Sequence, residues 1–204
     1  MKPLTHWLAL VISIAACQQQ ADERSAADLA QTANQTKPIV VFETNMGTIT
    51  MELEPDLAPE TVQNFLRHVR SKFYDSLTFH RVRPGFMIQA GRIQVDGKER
   101  TSTVFPIANE AENGLTNVRG AVAMARTSDP HSATSEFFIN VVDNPGLDFK
   151  DKTARGFGYA VFGHVVEGME VADAIAQVPA QRTRNSEAEP LEPVIILRAY
   201  LREQ

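Results

Sequence analysis

Beyond Pro38 the chain is a string of short apolar runs punctuated by Gly, Asn, Asp and Pro, among them GAVAMA, EFFINVV, GYAVFGHVV and PVIILRAYL. Each has the length of a strand and is bounded by turn-forming residues. IVVFET and TITMELEP flank Asn45-Met46-Gly47, which marks a hairpin. Helical spacing occurs in two places. Ala58-Pro59-Glu60 opens one helix with proline in its first turn, and Val62, Phe65, Leu66 and Val69 form its buried stripe. Gly168 to Gln177 forms the other, with Met169, Val171, Ala172 and Ile175 on one apolar face. Many strands with few helices favour an antiparallel barrel or sandwich over a wound parallel sheet. At 204 residues and 43% hydrophobic content, the chain suits one ordinary domain with a sizeable core.

The N-terminus is built differently. Lys2 precedes an apolar run from Trp7 to Ala16, and Cys17 follows. The run is too short to span a bilayer comfortably and has the dimensions of a signal-peptide core, so residues 1–16 are assigned to a signal. Ile14-Ala15-Ala16-Cys17 resembles the lipobox of bacterial lipoprotein signals, in which the chain is cut before a cysteine that becomes lipidated. The alternatives are an ordinary secretory signal with a chance cysteine, or a short buried helix. By the same resemblance, Gln18 in place of aspartate points to a periplasmic protein anchored to the outer membrane. Residues 17–37 contain almost no large apolar side chains, so they cannot offset their ordering entropy and are expected to form a flexible tether. Residues 38–204 are left for the folded domain. With Cys17 as the one cysteine, no intramolecular disulfide can form.

Several chemistries are excluded early. A net charge of -5 lacks the basic footprint of a nucleic-acid binder. His6, His68, His80, His131 and His164 are scattered without metal-ligand spacing, so no metal site is expected. His80 and His164 read as structural rather than catalytic. There is no Gly-x-Ser-x-Gly elbow, and Gly156-x-Gly158 lacks the third glycine of a dinucleotide fingerprint. The stretch FHRVRPGFMIQAGR, Phe79 to Arg92, is harder to dismiss. Pro84-Gly85 is a turn between two strand-like runs, and Arg81 sits among apolar neighbours. Taken alone, Arg81 is a charge on the solvated face of a half-buried strand.

Phe79-His80-Arg81-Val82-x-Pro84-Gly85-Phe86-Met87-Ile88-Gln89 is similar to the signature of the cyclophilin peptidyl-prolyl isomerases. Gly120 to Ala125, Ser135 to Asn140, Leu147-Asp148 and Tyr159 to Gly163 resemble further blocks of that family in the same order. The resemblance runs from about Ile39 to the C-terminus, and AMARTSDPHSATSEFFIN is closest to the bacterial periplasmic branch. It implies a mainly β fold, a closed eight-stranded antiparallel barrel capped by two α-helices.

Carried over by position, Arg81 matches the catalytic arginine, with Gln89 and Phe86 beside it. Phe86, Met87, Phe138 and Leu147 match the pocket for the substrate proline ring. Gln89 matches the residue that bonds the substrate backbone and positions the arginine. Ala125 and Arg126 match the backbone-binding edge, and Tyr159 falls at the rim. Glu136 stands where the family usually has glutamine, and as an ionised acceptor it is expected to pair with Arg81 or Arg126. Gly146 stands where cyclosporin-sensitive members carry tryptophan. The implied activity is X-Pro isomerisation on proline-containing unfolded or flexible polypeptides by a monomer, during folding of exported proteins. Twisting the amide must overcome roughly 18–20 kcal/mol and gives the prolyl nitrogen a lone pair. A rigid guanidinium can donate to it, so no nucleophile, metal or cofactor is called for. The runner-up is a Pro-peptide-binding chaperone with little turnover, and a structural or assembly protein of the envelope is a weaker third.

Overall fold

Thr44 and Gly47 set the first register. Thr44 Oγ1 accepts the Met46 N–H at 3.0 Å and donates to the Gly47 carbonyl at 2.7 Å, closing a tight turn. Gly47 has φ 133°, and a Cβ there would lie 2.8 Å from Val171 Cγ2, so a side chain is doubly excluded. The turn joins β1 (Ile39–Thr44) to β2 (Gly47–Leu53). The structure is a computed structural model and describes residues 37–184 and 186–203. The signal, Cys17 and the tether up to residue 36 lie outside the described residues.

After β2 come α1 (Pro59–Arg70), β3 (Arg81–Arg83), β4 (Met87–Ala90), β5 (Ala121–Met124), β6 (Phe137–Asn140) and β7 (Val161–Glu167). Helix α2 (Met169–Ala176), β8 (Ala180–Gln181), β9 (Glu189–Pro190) and β10 (Ile196–Leu201) complete the order. One eight-stranded antiparallel sheet runs β10-β1-β2-β7-β5-β6-β4-β3, and β8 and β9 form a separate ribbon. The barrel is curled, and no continuous ladder joins β3 to β10. Its seam is made instead by the residues just before β3. Ser76 N–H donates to Ile196 O, Ile196 N–H to Leu77 O, and Phe79 N–H to Val194 O, at 2.8 to 2.9 Å. β3 is three residues long and already turning into the β4 hairpin, which is why the ladder stops.

The barrel interior is apolar and rich in aromatic rings. Phe65 of α1 packs 4.9 Å from Phe162, 5.2 Å from Tyr74 and 5.4 Å from Phe137, centroid to centroid. Such pairs contribute about 0.5–1.5 kcal/mol each beyond area burial. Pro59 starts α1 where a missing N–H costs nothing, and Val62, Leu66 and Val69 join Phe65 in the core. Helix α2 contributes Ala172 and Ile175 to the same cluster. Because this interior is filled, any binding site must lie elsewhere.

Candidate active site

The Pro84-Gly85 turn fixes the position of Arg81. Gly85 has φ 67°, and Phe86 N–H donates to Arg83 O at 3.1 Å. In the resulting hairpin Arg81 faces Gln89, Gln89 faces Phe138 on β6, and Phe138 faces Ala123 on β5. Side chains in one such row share a face of the sheet. The neighbouring row of Val82, Ile88, Ile139 and Val122 is buried in the barrel core. Arg81 sits among apolar neighbours because alternation turns them inward and it outward.

On that outer face a second apolar cluster forms from Met87, Ala121, Ala123, Phe138 and Val161, with Phe86, Ala125, Leu147 and Tyr159 packed onto it. Over it lies a cavity of about 210 Å³ lined by Arg81, Phe86, Met87, Gln89, Ala125, Arg126, Phe138, Leu147 and Tyr159. Phe138 and Tyr159 meet edge to face at 5.6 Å. Leu147 ends a short 3₁₀ turn, and its carbonyl accepts the Tyr159 N–H at 2.9 Å. A hydrogen-bonded set holds this rim. Asn117 donates through N and Nδ2 to Asp148 Oδ1, Asn140 Nδ2 donates to Asn117 Oδ1, and Asn144 Nδ2 donates to Asn140 Oδ1 and the Phe86 carbonyl.

The guanidinium of Arg81 is gripped from two sides. Nη1 donates to Gln89 Oε1 at 3.1 Å, Nε donates to Glu187 Oε1 at 3.0 Å, and Nη2 donates to the same Glu187 oxygen. Each terminal nitrogen carries two N–H groups, so each keeps one beyond these bonds, and the guanidinium borders the cavity. Behind Gln89 the chain of contacts continues. Gln89 Nε2 donates to Glu136 Oε2 at 2.8 Å, His80 Nε2 lies 3.3 Å from the same oxygen, and Arg92 Nε lies 3.0 Å from Oε1. Burial pushes the Glu136 carboxyl up, but the contact with His80, the charge of Arg92 and the bond from Gln89 together hold it below 4.5.

Glu136 therefore differs from expectation. It pairs with neither Arg81 nor Arg126 and lies outside the cavity lining. Gln89 stands between it and Arg81, whose carboxylate partner is Glu187. Arg126 is committed to the carbonyls of Gly158, Thr127 and Ala154, and its Cζ sits 4.7 Å over the Tyr159 ring. Glu187 and Arg92 escaped sequence reasoning. Glu187 is 106 residues from Arg81, and no motif connects the two. His80 is buried as a structural residue should be, but its Nδ1 has no hydrogen-bond partner among the described residues. His164 is exposed, and one ligand atom each from Glu52, Glu54 and His164 falls within 4.8 Å, despite their scatter in sequence. Lys37 Nζ sits 2.8 Å from Glu54 and 3.6 Å from Glu52, supplying the countercharge to that cluster.

Comparison with known proteins agrees with this geometry. The model of the cyclophilin type peptidyl-prolyl cis-trans isomerase/CLD family matches residues 39–201. A peptidyl-prolyl cis-trans isomerase of Streptomyces antibioticus, cyp18, is 52% identical over 157 residues, covering 77% of this chain and 94% of its own. Peptidyl-prolyl cis-trans isomerase B of Escherichia coli is 51% identical over 158 residues, covering 78% and 96%. In fold alone, a crystal structure of a cyclophilin type peptidyl-prolyl cis-trans isomerase from Cryptosporidium parvum aligns with a TM-score of 0.67 at 23% identity, covering 82% of this chain and 99% of that one. With a matching barrel, a matching family model and relatives near 50% identity, this chain belongs to the cyclophilin-type peptidyl-prolyl cis-trans isomerases.

Proposed function

We propose that the isomerase works through Arg81 as the donor to the prolyl nitrogen, with Phe86, Met87, Phe138 and Leu147 holding the ring, and that its substrates are exported proteins still folding. The observation that carries this reading is a guanidinium fixed by Gln89 and Glu187 at the edge of a cavity of about 210 Å³ with an apolar floor. As the amide twists, the prolyl nitrogen becomes an acceptor, and a donor already aimed at it acts mainly in the transition state. The apolar floor keeps water from competing for that bond. Ala125 and Arg126 border the cavity where the substrate backbone would run. A protease-free isomerisation assay on an Ala-Pro peptide tests the reading directly. Acceleration by the full-length chain that is lost with Arg81 is the expected result, and acceleration independent of Arg81 refutes it.

One observation favours the chaperone alternative. Glu187 accepts from two of the Arg81 nitrogens in the resting protein, which leaves fewer N–H groups for a substrate nitrogen. A protein that binds the peptide without accelerating its isomerisation would establish that alternative.

The exported location rests on the apolar run from Trp7 to Ala16 and on Ile14-Ala15-Ala16-Cys17. On this reading Cys17 carries lipid and holds a monomeric enzyme at the outer membrane. A processed lipoprotein bears several acyl chains, which anchor far more firmly than one. Cys17→Ser should abolish fatty-acid labelling and shift the protein out of the membrane fraction. Wild-type protein that is unlabelled and wholly in the periplasmic fraction refutes the anchor.

A further inference from the structure

Across Arg81 and Gln89 from the proline pocket lies a second cavity of about 470 Å³, more than twice the volume of the first. The two cavities share only Arg81 and Gln89, so the same guanidinium borders both. Arg92, Arg182, Arg184 and Glu187 also face the second cavity. An extended peptide advances about 3.3–3.6 Å per residue. A substrate whose prolyl nitrogen meets Arg81 therefore brings its flanking residues within reach of this groove.

The charges there are not evenly paired. Glu187 is taken by Arg81 and by Arg83 at 3.2 Å, and Arg92 is bonded to Glu99 and ion-paired with Glu136. Glu189 accepts the Thr183 hydroxyl. Arg182 and Arg184 are exposed and make no hydrogen bond or ion pair among the described residues. They are not on a loose loop. Thr183 N–H donates to Ser186 O at 2.7 Å, Ser186 N–H donates to Thr183 Oγ1 at 3.1 Å, and Ala188 N–H donates to Ser186 Oγ at 3.2 Å. The segment is then stitched to the catalytic strand, where Val82 N–H donates to Ala188 O at 2.9 Å. The chain as a whole carries a net charge of -5, yet here two unpartnered guanidiniums are held beside the reacting arginine. Glu187, which also lines this groove, shows that a carboxylate is held there by guanidinium groups, those of Arg81 and Arg83.

We propose that this groove is a substrate subsite for acidic side chains, so that the enzyme selects prolines flanked within a few residues by Asp or Glu, with Arg182 and Arg184 as the selecting groups. This rests on the isomerase reading of the adjoining pocket. Carboxylates suit planar guanidinium groups, and an exposed pair acts more on selectivity than on total affinity. Two weak attractions for Glu and two matching repulsions for Lys give an expected preference of about tenfold, or ~1.4 kcal/mol.

The test uses full-length protein and peptides with one Ala-Pro core, carrying Glu, Gln or Lys at each position on either side of it. Wild-type kcat/KM should favour Glu over Lys by about tenfold at one flank or more, and the Arg182→Glu, Arg184→Glu double variant should reverse the order. The wild-type ratio should also shrink as salt rises from about 0.01 M to about 1 M, because the Debye length falls from ~30 Å to ~3 Å. Acceleration of the Gln peptide with no Glu–Lys difference at any position overturns the subsite alone. So does a difference that survives the double variant. Failure to accelerate any peptide overturns the isomerase reading and the subsite with it.

Discussion

Arg81→Ala separates donor chemistry from binding and from folding. The substitution removes one hydrogen bond to Gln89 and two to Glu187, and leaves Glu187 with Arg83 as its partner at 3.2 Å. The Arg81 side chain is 27% exposed, and the core neighbours Val82 and Ile88 lie on the opposite face. Stability should therefore change by about 1 kcal/mol or less, in keeping with a solvent-accessible ion pair. The rate is another matter. Losing one preorganised donor to a developing acceptor costs about 2.7–4 kcal/mol, which is 10²- to 10³-fold in kcat/KM. Peptide affinity should fall less than about tenfold, because Met87 and Phe138 still floor the pocket and Phe86 and Leu147 still border it. The comparison requires exchange rates of an Ala-Pro peptide by NMR, peptide affinity by titration, and Tm, all on one preparation. Arg81→Lys keeps the charge but loses the planar fork, and should recover only part of the rate. An Arg81→Ala protein with kcat/KM within about threefold of wild type, stable and binding normally, refutes the donor argument.

Glu187→Ala frees two of the Arg81 nitrogens from their anchor and should lower kcat by about tenfold with KM little changed, while Glu187→Gln keeps an acceptor and recovers most of the loss. Faster turnover in Glu187→Ala would mean that the carboxylate restrains the arginine rather than aims it. The Glu136 carboxyl is held below the ordinary glutamate value, so its contribution to stability is present above that ordinary value and is lost as pH falls through the lowered folded one. kcat/KM should accordingly decline only below the ordinary glutamate range, as Gln89 loses its ionised acceptor, and Glu136→Gln should lessen that decline, leaving the part due to Glu187, whose carboxyl is likewise held low by Arg81. Gly146 has open space where a Cβ would go, with nothing within 4 Å. Gly146→Trp should fold normally and tighten cyclosporin inhibition by at least about tenfold, as a restored aromatic hot spot would.

What the sequence made legible was whatever is local or periodic. The Pro84-Gly85 turn between two strand-like runs was enough to foresee two strands joined at a corner, and the stripe of Val62, Phe65, Leu66 and Val69 was enough for α1. The pocket residues fell into place because the family motifs name them and strand register then puts Arg81, Gln89, Phe138 and Ala123 in one row. What stayed hidden depends on contacts between distant segments. Glu187 meets Arg81 only because Glu187 and Ala188 lie against β3, where Val82 N–H donates to the Ala188 carbonyl. The pairing of Glu136 was misjudged for a related reason. Register places Gln89 between it and Arg81, and Arg92 and His80 compete for its oxygens. The seam of the barrel is likewise invisible in composition, because it depends on where a three-residue strand gives out and the residues before it take over the pairing.

The edge position of β3 ties these observations together. An edge strand offers unpaired backbone groups that a protein must cover. Here the Ala188 carbonyl accepts the Val82 N–H, so the segment that protects the edge also lies alongside Arg81. That placement brings the Glu187 carboxylate onto the guanidinium and sets Arg182 and Arg184 in the adjoining groove. From the other side, β4 supplies Gln89, whose amide must turn its oxygen to Arg81 because Glu136 can only accept. The arginine is thus aimed by an amide whose orientation the half-buried Glu136 carboxylate dictates and by a carboxylate that the edge-covering segment delivers. The barrel core enters only by holding the strands in register. Changes confined to the segment from 182 to 188 should therefore alter rate and substrate preference while leaving the barrel intact.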